Sequence, residues 1–597
     1  MQKTFAKKPL WEVTQKLTAV AMGQAPAELV LRNIRLINVC TAEITEPTDI
    51  AVAEGRIAFI GRAEHCIGPD TRVIDGEGQY AAPGFLDGHI HIESSMLSAG
   101  EYGRAVIPHG TTGVYIDPHE ICNVLGMDGI RAMIDDAARV PLKTMVTMPS
   151  CVPAVPGFED TGAEITAREV AEAMNWPTVV GLGEMMNYPG ILSGADNPHQ
   201  EVAETLKAGA TVTGHFPIPA TEPELNGYVA AGIRCCHEST RAEDALAKAR
   251  LGMYAQLREG SAWHDLHEVI HAVLDYTVDS RFFQLISDDT HPHTLMTQGH
   301  LDHIARRAVE EGLDPVTAIQ MITINVAQCY HMDQDLGSLT PGKAADIVLM
   351  DDLPTLHVTR VFIDGDSVAE NGAYTGPMGE YRYPAQATHS MHVKDAITPA
   401  SFRLPSPGPT AKVHVMEIIP ERVGTYHRIV ELAAPQGLLE SDVSQDVLKT
   451  AVFERHHETG KVGFGFTRGF HIQRGAMAST VAHDAHNLLV IGTNDEDMAL
   501  AANTLIASGG GLCTVQDGKV LGHVPLPIAG LMSDRPLAEV AGLVDELTRS
   551  WEKIGCDIAS PFMTMALIPL ACLPELRLTD RGLVDCTCFR FLPLIAD

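Results

Sequence analysis

The sequence predicts an α/β protein built on a (β/α)8 barrel, with a discontinuous small β-sandwich domain on the barrel's flanks and a further α/β or α+β domain towards the C-terminus. Three observations carry that prediction. Apolar strand-like runs alternate with helical stretches from Phe85 to about Gln334, ionisable residues close several of those runs, and short strands punctuated by Gly and Asp lie on both sides of the alternation. At 597 residues the chain also exceeds what one hydrophobic core sustains, so several domains are expected.

Residues 1–27 open with MQKTFAKKPLWEVTQKLTAVAMG. The start is basic, but Glu, Thr, Gln and Lys interrupt the apolar residues that follow, so the segment reads as an amphipathic helical extension and not as a secretory signal. Residues 28–84 contain ELVLRNIRLINV and DIAVAEGRIAFIG, short alternating runs that read as strands and end at Pro83-Gly84. In residues 85–334 the runs GVYID, TVVGLGE, ATVTGH, GIRCCHE and FFQLISDD alternate with AREVAEAMNW and RAVEEGLDPVTAIQMI, the pattern of parallel βα units. The strand-and-turn pattern returns in residues 335–382, with GKAADIVLMDDL and VTRVFIDGDSVAENG, and the two flanks are expected to pair into one sandwich. Residues 383–412, rich in Pro, Ser, Thr and Ala, read as a linker. Residues 413–597 mix strands (VGFGFTRGF, NLLVIGTN) with helices (DEDMALAANTLIAS, LAEVAGLVDELTRSWEKI).

Composition excludes several function classes. Hydrophobic residues make up 45% and charged residues 20%, and no apolar run reaches the ~18–20 residues that span a bilayer, so a soluble chain without a membrane partner is expected. Twelve cysteines are scattered without a CxxC pair, which excludes a thiolate zinc knuckle and points to a reducing, cytoplasmic compartment. The net charge of −33 repels phosphate backbones, so the expected partner is a small molecule and not a nucleic acid.

The chemistry begins at PGFLDGHIH, where His89 and His91 stand two positions apart on a strand and so share one face. Such a pair alone equally fits two half-exposed strand histidines. Further strand ends add Glu184 in VVGLGEMMN, His215 in TVTGHFP, His237 in IRCCHE and Asp288 in LISDDTHP. Imidazole with carboxylate suits iron, manganese or zinc, whereas calcium wants more oxygen. Glu184 is the candidate bridge between two ions. Strand alternation admits only one of Asp288 and Asp289 to the site if the strand is regular there, and Asp288 is the choice.

PGFLDGHIH, the strand-end histidines and the terminal aspartate resemble the amidohydrolase superfamily over roughly residues 28–380. Within it, HGTTGVYIDPHEICNVLG, GLGEMMNYPG and SDDTHP resemble the adenine deaminase family, and RHHETGKVGFGFTRGF, GAMASTVAHDAHNLLVIGTN and LPIAGLMSD resemble the extra domain of that family. Glu184 stands where other amidohydrolases carry a carboxylated lysine, as it does in adenine deaminases. The resemblance implies metal-dependent hydrolysis of adenine to hypoxanthine and ammonia, with activated hydroxide attacking C6. It implies two divalent ions, iron or manganese in preference to zinc, held by His89, His91, Glu184, His215, His237 and Asp288. Asp288 would carry the proton, Glu184 and His237 would add catalytic roles to metal binding, and Asp117 would belong to the active site.

Ser94, Ser95, His119 and Glu120 are candidate substrate-binding residues. Their plain alternatives are serines that satisfy backbone groups and a solvated turn fixed by Pro118. His456, His457, His483 and His486 read as a second metal site, a cap over the barrel, or ordinary histidines. A homodimer is expected. Two other readings share the barrel: hydrolysis of a cyclic amide, and a non-catalytic scaffold. A cytidine-deaminase-like zinc site, suggested by His91-Ile92-Glu93, lacks its PCxxC partner.

Overall fold

A computed structural model describes residues 3–596 apart from 220, 262, 263, 421 and 559. It shows a mixed α/β fold with several sheets. Among the described residues no helix is long and apolar enough to cross a membrane.

The sheet that positions the site has eight parallel strands in sequence order: Phe85–Ile90, Thr111–Ile116, Lys143–Met148, Val179–Met185, Thr211–Gly214, Ile233–Cys236, Tyr254–Arg258 and Phe283–Ile286. Nearly every residue on these strands is buried, as a sheet covered on both faces requires. Helices separate most of the strands, among them Ala99–Val106, His119–Ala137, Asp196–Lys207 and Ala242–Arg250. The ladder stops at the eighth strand, but the first and last strands meet at an isolated parallel bridge between Ile90 and Asp288. Asp87 reinforces the meeting, accepting from the Ser287 backbone N–H at 3.2 Å while His300 Nε2 lies 3.1 Å from its other oxygen. The stretch RAVEEGLDPVTAIQMI is two helices, Leu301–Glu310 and Pro315–Met321, and not one. Pro315 cannot continue the first, and Asp314 caps the second by accepting from the Thr317 N–H at 3.0 Å.

A ten-stranded sheet draws its strands from residues 29–83 and 347–374. The two stretches join where Tyr80–Pro83 pairs antiparallel with Ile347–Asp352. Helix Leu10–Ala21 lays Val13, Leu17 and Val20 on this sheet, the i, i+4, i+7 stripe of an amphipathic helix. Beneath the parallel strands, buried Lys143 reaches Asp346 at 2.5 Å and Asp364 at 3.0 Å, an ion group that ties the two sheets together.

The C-terminal part forms an eight-stranded mixed sheet, Thr410–Ile418 to Lys519–Pro525, with helices Asp495–Ser508 and Leu537–Ile554 packed on it. Its first inner strand begins at Thr410, inside the stretch that reads as a linker from composition. Ile397 and Phe402 of that stretch are buried against Ala451, Leu488 and Met498, so polar composition concealed two apolar anchors. The C-terminal part abuts the parallel sheet directly: the Ser98 N–H donates to the Ser533 carbonyl, the Ser533 N–H donates to the Met96 carbonyl, and Asn487 donates to the Asp160 carbonyl at 2.9 Å.

Candidate metal centre and active site

The ends of the parallel strands converge on one buried group of nitrogens and carboxylate oxygens. His89 Nε2 and His91 Nε2 lie 3.1 Å apart. Asp288 Oδ1 is 3.4 Å from each of them. Glu184 sits at the centre: one oxygen is 2.7 Å from His215 Nδ1 and 3.0 Å from His237 Nε2, the other 3.6 Å from His91 Nε2 and 3.4 Å from His119 Nδ1. The rings of His89 and His237 stack with centroids 4.1 Å apart. The six residues that the sequence nominates as ligands therefore lie together.

Their chemistry fits a cation. His91 Nδ1 donates to the Asp117 carbonyl at 2.9 Å, so in the neutral ring Nε2 carries the lone pair and points it at His89 and the carboxylates. Two imidazole nitrogens facing each other, ringed by carboxylate oxygens, need a positive charge between them. Burial pushes the Glu184 carboxyl up, but the adjoining His237 and His215 outweigh it and hold Glu184 well below the ordinary range. Asp288 is likewise raised by burial and then lowered well below its usual value by His237, His89, His91 and Arg258. Burial and neighbouring His89 push His237 down, towards the neutral form that ligates.

Asp117 lies beneath Glu184. Its Oδ2 accepts from the Glu184 backbone N–H at 2.6 Å, and it is fully buried, not a solvated turn residue. This close approach is possible because residue 183 is glycine: a Cβ there would come 2.6 Å from Asp117 Oδ2. Gly183→Ala is therefore expected to displace Glu184, lowering bound metal per chain and turnover together while the far-ultraviolet circular dichroism stays unchanged. Full metal occupancy in that variant would show that Asp117 does not set the position of Glu184.

The remaining nominated residues divide. His119 lies beside the group, with Nδ1 3.6 Å from Asp117 Oδ1 and Nε2 3.8 Å from Asp484 Oδ1. Burial lowers its pKa, but Asp117 and Asp484 outweigh that and raise it to about 10. Glu120 is buried next to it and faces the C-terminal part. Ser94 Oγ donates to Asp289 Oδ1. Ser95 is committed to the backbone and is not free for substrate: its hydroxyl donates to the Ile92 carbonyl at 2.6 Å and accepts from the Leu97 N–H at 3.2 Å. The condition for choosing between Asp288 and Asp289, a regular strand, is not met, because the strand ends at Ile286. Asp288 adopts a left-handed backbone, φ 58°, which breaks strand alternation and keeps both carboxyls on the site side. Burial and the adjacent Asp288 raise the Asp289 carboxyl.

Three residues join the site that the sequence reading passed over. Arg258, at the end of the seventh strand, donates to Asp288 Oδ2 at 3.1 Å, to Glu238 Oε1 at 2.5 Å and to Asp265 Oδ2 at 2.8 Å. Glu238, raised by burial but lowered further by Arg258, His215 and His237, falls to about 2. Asp484 enters from the C-terminal sheet and is 2% exposed. His456 and His457 lie apart from the group: His456 bonds the Ala485 carbonyl at 2.7 Å and His457 the Thr161 carbonyl at 2.8 Å, as ordinary structural histidines do.

Comparison with known proteins agrees with this geometry. The family described as "Amidohydrolase family" matches residues 80–368, which contain the six residues nominated as ligands, so the fold is that of an amidohydrolase. A second family, "Adenine deaminase C-terminal domain", matches residues 422–590. Proteins named adenine deaminase from Clostridium botulinum (strain 657 / Type Ba4) and Moorella thermoacetica are 65% and 52% identical to the chain, the first covering 100% of both chains and the second 99% of both. One from Mesorhizobium japonicum is 44% identical, with 98% of each chain covered. The chain belongs to the adenine deaminase family of the amidohydrolase superfamily.

Proposed function

We infer that the chain hydrolyses adenine to hypoxanthine and ammonia with divalent metal held in the buried group around Glu184. The observation that carries the reading is that group itself, four imidazoles and two carboxylates brought together at the strand ends, in a chain whose relatives bear the adenine deaminase name along their full length. His89, His91 and Asp288 would hold one ion, His215 and His237 the other, with Glu184 shared between them. Imidazole and carboxylate without thiolate admit iron, manganese and zinc alike, and the family resemblance favours iron or manganese.

Divalent ions of this kind supply, when bound, the acidity that makes water a nucleophile near neutral pH. The chain's residues do the rest. Asp288 takes a proton from the attacking water and passes it towards the departing amine as the C6–N bond breaks. Arg258 holds one Asp288 oxygen, leaving the other turned to His89 and His91. Asp117 fixes the backbone of Glu184, and His237 would polarise the purine.

The eight-strand order and the Ile90–Asp288 bridge support a closed (β/α)8 barrel over residues 85–334. The paired stretches support a sandwich made from residues 28–84 and 335–382, with a helical extension at 1–27, a linker at 383–412 and the family's appended domain at 413–597. A homodimer completes the proposal, and light scattering on the purified protein tests it.

The deciding experiment follows ammonia and hypoxanthine from adenine with metals quantified, before chelation, after it, and after adding manganese or iron. Activity is expected to vanish with chelation and to return with metal. No turnover by metal-replete protein would overturn the reading.

A further inference from the structure

The segment 482–487 reaches the site from the C-terminal sheet and sets two histidines against Glu120. His483 Nδ1 lies 3.5 Å from Glu120 Oε1, and His486 Nε2 lies 3.8 Å from Glu120 Oε2. By distance alone these three residues would suit another cation. The tautomer of His486 opposes that. The Ala482 backbone N–H donates to His486 Nδ1 at 3.2 Å, so Nδ1 carries the lone pair. Burial and neighbouring His483 keep the ring neutral, which puts the hydrogen on Nε2. A ring nitrogen bearing hydrogen donates and does not ligate.

Glu120 Oε2 and His486 Nε2 are both buried, and neither has a hydrogen-bond partner among the described residues. An acceptor and a donor thus stand side by side, each unmet, beside the metal group. Glu120 Oε2 accepts whether its carboxyl is ionised or keeps a proton on Oε1. Buried Arg455 donates to the His486 carbonyl and holds the segment in place.

Resting on the deaminase reading, we propose that Glu120 and His486 recognise the N9–H and N3 edge of the free base. N9–H donates to Glu120 Oε2, and N3 accepts from His486 Nε2–H. A nucleoside carries its sugar on N9, so it has no hydrogen for Glu120 and sets bulk where that hydrogen would be. Glu120, held against the C-terminal part, then supplies the selection for base over nucleoside, a task that the metal ligands cannot perform.

The test uses full-length, metal-replete protein and competition against adenine by two analogues, 3-deazaadenine, which lacks the N3 acceptor, and 9-methyladenine, which lacks the N9–H donor. Each is expected to bind at least ~10-fold more weakly than adenine, the loss of one hydrogen bond to a buried partner. His486→Leu is expected to raise KM for adenine by a similar factor, to keep its metal content, and to bind 3-deazaadenine as well as adenine. Wild-type protein that binds 3-deazaadenine as tightly as adenine would overturn the proposal. So would a His486→Leu protein that loses about one metal ion per chain, which would mark a cation site. If the variant does not fold, the two analogues on wild-type protein decide. Failure of the deaminase reading is seen separately, as absent adenine turnover before any analogue is added.

Discussion

Glu184→Gln is expected to lose bound metal and turnover together, with kcat/KM falling on the order of 10³-fold, about 4 kcal/mol of transition-state stabilisation. Both oxygens of Glu184 face nitrogen: one lies 2.7 Å and 3.0 Å from His215 and His237, the other 3.6 Å and 3.4 Å from His91 and His119. An amide of the same shape must turn its NH2 towards one of these pairs. It also removes the negative charge that balances the cluster in a buried site, where an uncompensated charge is costly. Elemental analysis of the purified variant, read beside ammonia release, checks the expectation. Full metal occupancy with normal turnover would remove Glu184 from its assigned place.

Asp288→Asn is expected to behave differently. Turnover should fall ~10²–10⁴-fold, the range that positioned proton transfer contributes, while most of the metal stays bound. Asparagine can keep a carbonyl oxygen towards His89 and His91 by giving up the bond from Arg258, which retains Glu238 and Asp265. What it cannot do is accept a proton. The contrast between the two variants is the informative result: metal lost with Glu184, proton transfer lost with Asp288. Near-normal kcat in Asp288→Asn would assign the proton route to another group.

The candidate ligand set was legible because the rule behind it is simple. Parallel strands present their C-terminal ends to one side, so a His or carboxylate closing an apolar run points to the same place as the next. The same rule places Arg258 at the end of YAQLR, but an arginine, always cationic and without an acceptor, does not read as a metal ligand. Glu238 was hidden by strand alternation, which sends the neighbour of His237 away only while the strand continues, and this strand ends at Cys236. Asp289 was hidden in the same way by the left-handed turn at Asp288. The helices DEDMALAANTLIAS and LAEVAGLVDELTRSWEKI were readable to the residue because caps bound them, Asn494 at the start of one and a left-handed glycine, Gly509 or Gly555, at the end of each. Asp484 and the His486 edge were not readable, since nothing local ties residues near 485 to residues near 120. Only tertiary packing brings them together.

The pairing of Tyr80–Pro83 with Ile347–Asp352 has a consequence for how the chain comes off the ribosome. The strands of the first 83 residues emerge early, yet their partner is made roughly 260 residues later, which at ~5–20 residues per second is tens of seconds. During that wait Tyr80–Pro83, paired on one side with Leu29–Asn38, leaves its other edge open and able to bind another nascent chain. Short length and a terminal proline, which has no N–H to offer, make it a poor template for such pairing. Slowed translation between these two stretches would lengthen that exposure, against which the short strand and its proline are the protection, without changing any residue of the finished molecule.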